Sequence, residues 1–380
     1  MEIVRSAVPK RSIVEGVPRY YEPYVNDCFY NAYGALLGFK GVDPALALAD
    51  YLSFLYDPMT EQIGVNYMLR SSDTFYYTEE ELNTSLPYAH LQATKEFSGE
   101  EEALDPDAPR YEVRLYTHPS AEVAEQRLKE RLAEGEPMIV VVNLYEIPYH
   151  GAYQKQHGIH AVVVTGYDEE QGVYHLFDKY EMSNSNFDGT LPRDVVEAGR
   201  STSSVTENPV SGTTVRQMEH LWMEVQVPSH FQLKEGSAKQ LLSESRRRME
   251  GRDLLLGYPC GFPAMDDFLE ALQAKRSRPF DDTEKRRFRF YYNRSLKTIV
   301  RQRRRFLVFL QRAGAAFGWT IPAEAKEWLE EAALRWDIAA NVALKLGLTG
   351  KLALLDDFIE QLRLARAAEE QLVSWLPARE

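Results

Sequence analysis

The sequence predicts an α+β domain over residues 1–232 and a C-terminal all-helical domain over residues 233–380. Two observations carry this. Strand-like runs such as Met138-Ile139-Val140-Val141-Val142 alternate with amphipathic stretches through the first part. Beyond about residue 235 the strand signals stop and long helical periodicities take over. A chain of 380 residues can bury two such cores.

The elements follow in order. Phe29, Ala32, Tyr33, Leu36 and Leu37 fall on one helical face, so a helix is predicted over 28–38. Asn26 and Asp27 are both good N-caps for it. A second helix is expected over 44–56 and a strand over 63–69. Thr78 with Glu79, Glu80 and Glu81 reads as a capped helix start. Residues 97–109 read as an exposed acidic loop. A β-α-β run comes next: a strand over 111–116, a helix over 120–133 ended by Gly135, and an apolar central strand over 138–142. Strands are predicted over 160–166, 173–178 and 221–225, with 200–214 as a polar loop. Helices are predicted over 237–250, 262–275, 283–313, 323–346 and 350–375.

Composition narrows the function. A formal net charge of −13 argues against general nucleic-acid binding. Two cysteines make no disulfide framework, which points to a reducing, cytoplasmic setting. Residues 1–16 have no apolar core of a signal peptide, and no apolar run is long enough to span a membrane.

Cys28 is the most informative residue. It sits in the first turn of the predicted helix, where free backbone N–H groups and the helix dipole favour an anion. Such a setting turns a thiol into a thiolate nucleophile. A cysteine nucleophile needs a base, and the base needs an orienting partner. His160 opens the strand His160-Ala161-Val162-Val163-Val164-Thr165-Gly166, and Asp178 closes the next one. A hairpin centred near Glu170 sets Asp178 opposite Val162, on the His160 face. The two side chains then become diagonal neighbours about 7 Å apart at Cα. A slip of one residue would put them on opposite faces.

Asp27-Cys28-Phe29-Tyr30-Asn31-Ala32, His160 to Asp168 and Phe177-Asp178 resemble papain-like cysteine enzymes of the double-glycine peptidase type. More closely, the chain is similar to the butirosin biosynthesis protein H family over roughly residues 20–190. Gly261 to Met265 and Arg305 to Leu310 resemble that family's C-terminal region. The resemblance implies a papain-like fold and a Cys28–His160–Asp178 triad. It implies acyl transfer rather than proteolysis. The cysteine would take an acyl group from the phosphopantetheine thioester of an acyl or peptidyl carrier protein and pass it to a small-molecule amine in antibiotic-type biosynthesis. No cofactor of the chain's own is implied. Papain-like peptidases carry Gln six residues before the cysteine as an oxyanion donor, whereas this chain has Glu22. The expected oxyanion donors are instead the Cys28 backbone N–H and the Asn26 side chain.

Other features read more plainly. Cys260 lies in a turn-like segment with no base beside it and is expected to be structural. His150, His157 and His160 invite a zinc site, but their spacing across a loop and a strand start does not suit one. The basic run from Lys285 to Arg305 reads first as a helix packing Phe288, Tyr291, Tyr292, Leu296, Ile299 and Val300 inward. Its second reading is a docking face for the acidic carrier, with Arg286, Arg289, Arg301 and Arg304 as contacts. Two alternatives to acyl transfer stand: a peptidase or thioesterase using the same triad with water, and a non-catalytic binding protein on this scaffold. The helical domain could also form a homodimer interface.

Overall fold

A computed structural model describes residues 8–69, 77–99, 103–180, 185–208, 212–217 and 219–378. The chain divides into two compact units. The first comprises residues up to Pro44, His90–Thr206 and Val215–Phe231. The second comprises Ala45–Ala89, Glu207–Thr214 and Gln232 onward. The sequence suggested two contiguous halves split at 232, so the grouping of 45–89 with the C-terminal helices differs from that expectation.

The first unit is built on a mixed nine-stranded sheet. Ala89–Leu91 ends its seven-strand path beside Tyr111–Thr117, and the other six strands of the path run in the order Ser185–Pro192, Val173–Tyr180, Ile159–Asp168, Met138–Asn143, Trp222–Gln226 and Tyr111–Thr117. Neighbours among these six are antiparallel, and Lys95–Glu96 adds a parallel pair against Tyr111–Thr117. The apolar run at Met138–Asn143 is buried along its whole length, as its composition predicts. Arg11–Ile13 pairs with the far end of Ile159–Asp168. Gly166 permits that approach, since a Cβ there would lie 2.5 Å from the Ser12 carbonyl oxygen.

The helix Cys28–Phe39 packs Phe29, Ala32, Tyr33, Leu36 and Leu37 inward. Ala121–Ala133 is the predicted charged helix, capped by Ser120 and followed by Gly135 in a left-handed conformation. The chain adds two elements that composition did not announce: the strand Ser185–Pro192 and the helix Arg193–Ser201. The polar stretch expected as a loop over 200–214 instead forms a hairpin, Ser203–Asn208 with Gly212–Gln217. Its β-branched Val205, Thr206, Thr213, Thr214 and Val215 suit a strand better than their polarity suggests. Residues 209–211 of that stretch, residues 100–102 of the expected acidic loop and residues 1–7 lie outside the described residues.

In the second unit every regular element described after 234 is a helix: Glu235–Met249, Gly261–Ala274, Asp282–Arg286 continuing through a π turn into Asn293–Phe317, Ala323–Thr349 and Ala353–Trp375, with a short 3₁₀ turn at Lys275–Ser277. The π turn, Arg287–Tyr292, lies against Gly347, where a Cβ would come within 2.5 Å of the Arg289 nitrogen. A small three-stranded sheet, Leu55–Asp57, Gln62–Val65 and Tyr67–Met68, shares this core through Phe54, Tyr56 and Ile63.

The helix expected over 44–56 shrinks to one turn, Pro44–Ala47. Polar groups of that stretch bond to other segments instead. Asp50 pairs with Arg305 and Ser85, the Leu52 N–H donates to Ser245 Oγ, and Ser53 joins Asn66. The Thr78 capping box forms as predicted. Among the described residues no helix is long and apolar enough to cross a membrane.

Candidate active site

Asp27 caps the first helix of the chain, its side chain accepting from the Tyr30 N–H at 3.0 Å. Cys28 follows as the first helical residue and is 8% exposed. Asn31, one turn on, fixes this helix to its surroundings. Its Nδ2 donates to the Lys179 carbonyl at 2.8 Å, and its Oδ1 accepts from the Glu22 N–H at 3.2 Å. The helix is thereby tied to the strand that carries Asp178.

His160 lies near the start of Ile159–Asp168 and pairs with Val142 on the neighbouring strand. Its Nε2 is 2.7 Å from Asp178 Oδ2, with both residues buried. The Cys28 thiol lies within hydrogen-bonding reach of the same ring. With Nε2 on the carboxylate, Nδ1 is the nitrogen left for the sulfur. Burial works against a charge on this imidazole. The Asp178 carboxylate and the Cys28 sulfur outweigh it and raise the His160 pKa well above the ordinary value.

The strand register explains why His160 and Asp178 meet. Near the turn, Tyr174 pairs with Tyr167 and His175 with Gly166. Beyond it, Leu176 pairs with Val164 and Phe177 with Val163. The shift leaves Thr165 as an extra residue, a β-bulge. Extended by the same step, this register sets Asp178 on the side of Val162 and His160, and the His160 ring lies 5.8 Å from that of Tyr180.

Two neighbouring residues complete the site: Tyr149, which the sequence does not single out, and His150, which it offers only as a metal candidate. The Tyr149 hydroxyl donates to Asp178 Oδ2 at 3.1 Å, so that oxygen accepts two hydrogen bonds. The Tyr149 ring stacks on Phe187 at 4.2 Å, and Phe187 stands directly opposite Asp178 on the next strand. Burial and the adjacent carboxylate raise the phenol pKa, which keeps it a donor. His150 places its ring 5.6 Å from that of His160. Tyr149 and His150 arrive together on a turn closed by the His150 N–H to the Ile147 carbonyl. A Tyr-His pair between Pro148 and Gly151 is the only signal the sequence offers for them.

Asn26 is 1% exposed, and its side-chain Oδ1 has no hydrogen-bond partner among the described residues. Glu22 is half-buried, and burial raises its carboxyl pKa. His157 stacks on Tyr145 and bonds the Asn143 amide. Cys260 is buried, its thiol bonds the Asp253 carbonyl, and burial raises its pKa. No group of three or more His, Cys, Asp or Glu is placed to hold a metal among the described residues.

In the second unit, the basic run divides. Arg303 makes a two-pronged bond to Glu369 at 2.7 and 3.0 Å, and Arg305 pairs with Asp50. Arg287 bonds Glu61 and Glu284, and Lys297 bonds Asp337. These side chains hold the core together. Of the four named docking residues, Arg286 and Arg289 are exposed and Arg301 and Arg304 are half-buried.

Residues 27–179 match the family model described as butirosin biosynthesis protein H, N-terminal. This stretch is similar to that family. The match starts one residue before Cys28 and ends one residue after Asp178, so it encloses the three residues that meet here. No curated protein matches the chain.

Proposed function

We propose that the protein is a cysteine-dependent acyltransferase of antibiotic-type biosynthesis, moving an acyl or aminoacyl group from a carrier-protein thioester to an amine. The observation that carries this reading is Cys28 in the first turn of its helix, beside a His160 ring whose other nitrogen is held by Asp178 at 2.7 Å. The order of Cys28 helix, His160 strand and Asp178 strand supports a papain-like reading, and the name of the matching family model suggests the biosynthetic setting.

The steps balance on the chain's own residues. His160 Nδ1 takes the proton of the Cys28 thiol, and the Cys28 sulfur attacks the carbonyl carbon of the donor thioester and forms a C–S bond. The tetrahedral intermediate collapses with loss of the carrier's phosphopantetheine sulfur, which takes a proton from His160. The amine then attacks acyl-Cys28, His160 Nδ1 takes its proton, and the Cys28 sulfur leaves. Asp178 holds His160 Nε2 throughout, which fixes the ring for both transfers. Thioester donors suit this exchange because entering and leaving groups are both sulfur. Exposed Arg286 and Arg289, with Arg301 and Arg304, would attract an acidic carrier.

The test is intact-protein mass after mixing wild type and Cys28→Ala with acyl-carrier or acyl-cysteamine thioesters. An acyl gain on wild type alone, discharged faster by an added amine than by water, is the expected result. Discharge by water alone would make the protein a hydrolase. No adduct with any thioester, with slow alkylation of Cys28, would leave a binding protein.

A further inference from the structure

His150 carries a buried donor with nothing to bond. Its Nδ1 accepts the Ala152 N–H at 3.0 Å, so that nitrogen is unprotonated and the neutral ring bears its hydrogen on Nε2. Nε2 has no hydrogen-bond partner among the described residues, although the residue is only 7% exposed. Orphaned buried donors are rare and costly, on the order of 1–3 kcal/mol, and so call for a reason. The ring sits 5.6 Å from the His160 ring, at 51° to it. Burial, and then the charge on His160, push the His150 pKa down to about 4, so near neutral pH it remains an uncharged donor. Glu22, at the position where the oxyanion donor was sought, is a carboxyl and donates nothing when ionised.

We infer that His150 is a catalytic residue whose neutral Nε2–H donates to the acyl oxygen as Cys28 is acylated. This rests on the acyltransfer reading above. When the Cys28 sulfur adds to the thioester carbon, the carbonyl π pair moves to oxygen and makes an oxyanion. The free Cys28 N–H at the helix start supplies one donor, and Nε2 of His150 supplies a second. A neutral imidazole suits this task because it leaves the single positive charge on His160, where the proton transfers occur. No proton passes through His150: its hydrogen stays on Nε2 as the oxyanion forms and collapses.

The test separates oxyanion stabilisation from thiol activation on one sample. Wild type, His150→Phe and His150→Gln are compared by two rates. One is acylation of Cys28 by an acyl-N-acetylcysteamine thioester, read by intact mass. The other is alkylation of Cys28 by iodoacetamide, which displaces iodide at a saturated carbon and forms no oxyanion. His150→Phe is expected to slow acylation about 100-fold, the effect of one lost oxyanion donor, and to leave alkylation within about twofold. His150→Gln, which keeps an N–H near the same place, should recover part of the loss. Equal falls in both rates, in either variant, would make His150 a structural support of the triad and overturn the inference. Unchanged acylation in His150→Phe would overturn it as well, with the acyltransfer reading intact. Absence of any acyl adduct on wild type would remove that reading and this inference together.

Discussion

His160 and Asp178 face one side of the sheet because Thr165 is an extra residue in the hairpin between them. Without that bulge the turn-proximal register would run on and set Asp178 opposite Val163, on the other face. Thr165 is held by its carbonyl, which accepts the Val14 N–H at 2.7 Å, and by its hydroxyl, which reaches the His175 carbonyl at 3.4 Å. Deleting Thr165 should keep a folded sheet by circular dichroism and lose at least about 10³-fold in acyl transfer, the scale of losing a catalytic base and its orienter. Thr165→Val, which keeps the count, should stay within tenfold of wild type. A deletion variant with near-normal rates would refute this account of the bulge.

Asp178→Asn tests the orienting bond. The carboxylate is a principal group raising the His160 pKa, so its loss should let that pKa fall and weaken the hold on Nε2. Acylation should drop on the order of 10²–10⁴-fold, as when a triad carboxylate becomes an amide. The sign for stability follows. A histidine whose folded pKa is raised contributes stability fully present below about 6.5 and lost as pH climbs through the folded value. The stability gap between wild type and Asp178→Asn should therefore shrink from near neutral pH upward, as read by denaturant melts at several pH values.

His150 runs the other way. Its folded pKa of about 4 lies below the ordinary imidazole value, so it contributes stability above about pH 6.5 that is lost as pH falls towards 4. The groups facing it are His160 and Asp178, both retained in His150→Gln. That variant should lose less melting temperature than wild type between pH 6.5 and 4. Parallel curves across this window would show that the His150 ring charges freely in the folded state.

Glu369 is the partner of greatest consequence in the second unit. It accepts two bonds from buried Arg303 and one from Trp336 Nε1 at 2.7 Å. Glu369→Gln leaves a buried guanidinium without its counter-charge and should cost about 3–5 kcal/mol in urea unfolding. A loss under 1 kcal/mol would mean that the Arg303 charge is compensated by its other bonds, to Ser53 and Gln302.

Much of the site was legible because it lies where local rules dominate. The Asn26-Asp27-Cys28 start of an amphipathic helix is a matter of capping and period, and the helix begins at Cys28. The approach of His160 to Asp178 was read from a hairpin centred near Glu170. That register holds past Thr165, whereas nearer the turn the strands pair one step differently. The sequence reading thus reached the right face without seeing the bulge that creates it. The place of Tyr149 and His150 beside His160 and Asp178 was illegible because a turn reveals its direction only once the surrounding strands are placed.

The failures share a cause. Residues 44–56 have helical periodicity, but Asp50 and Ser53 satisfy arginine and asparagine side chains distant in sequence. The arginines at 303 and 305 look like a solvated face, yet they are buried because acidic partners wait at Glu369 and Asp50. Long-range ion pairs leave no mark in a local window.

The return of residues 45–89 to the C-terminal helices has a consequence for synthesis. Phe54 stacks on Trp336 at 5.6 Å, and Tyr56 meets Phe268 at 5.2 Å. A ribosome making this chain extrudes those aromatic side chains nearly three hundred residues before some of their partners emerge. They must stay uncovered, or shielded by a chaperone, until translation is almost finished. A gene cut at residue 232 would therefore not release the first unit as a free-standing piece, because it would strand the apolar segment 45–89 without its covering helices.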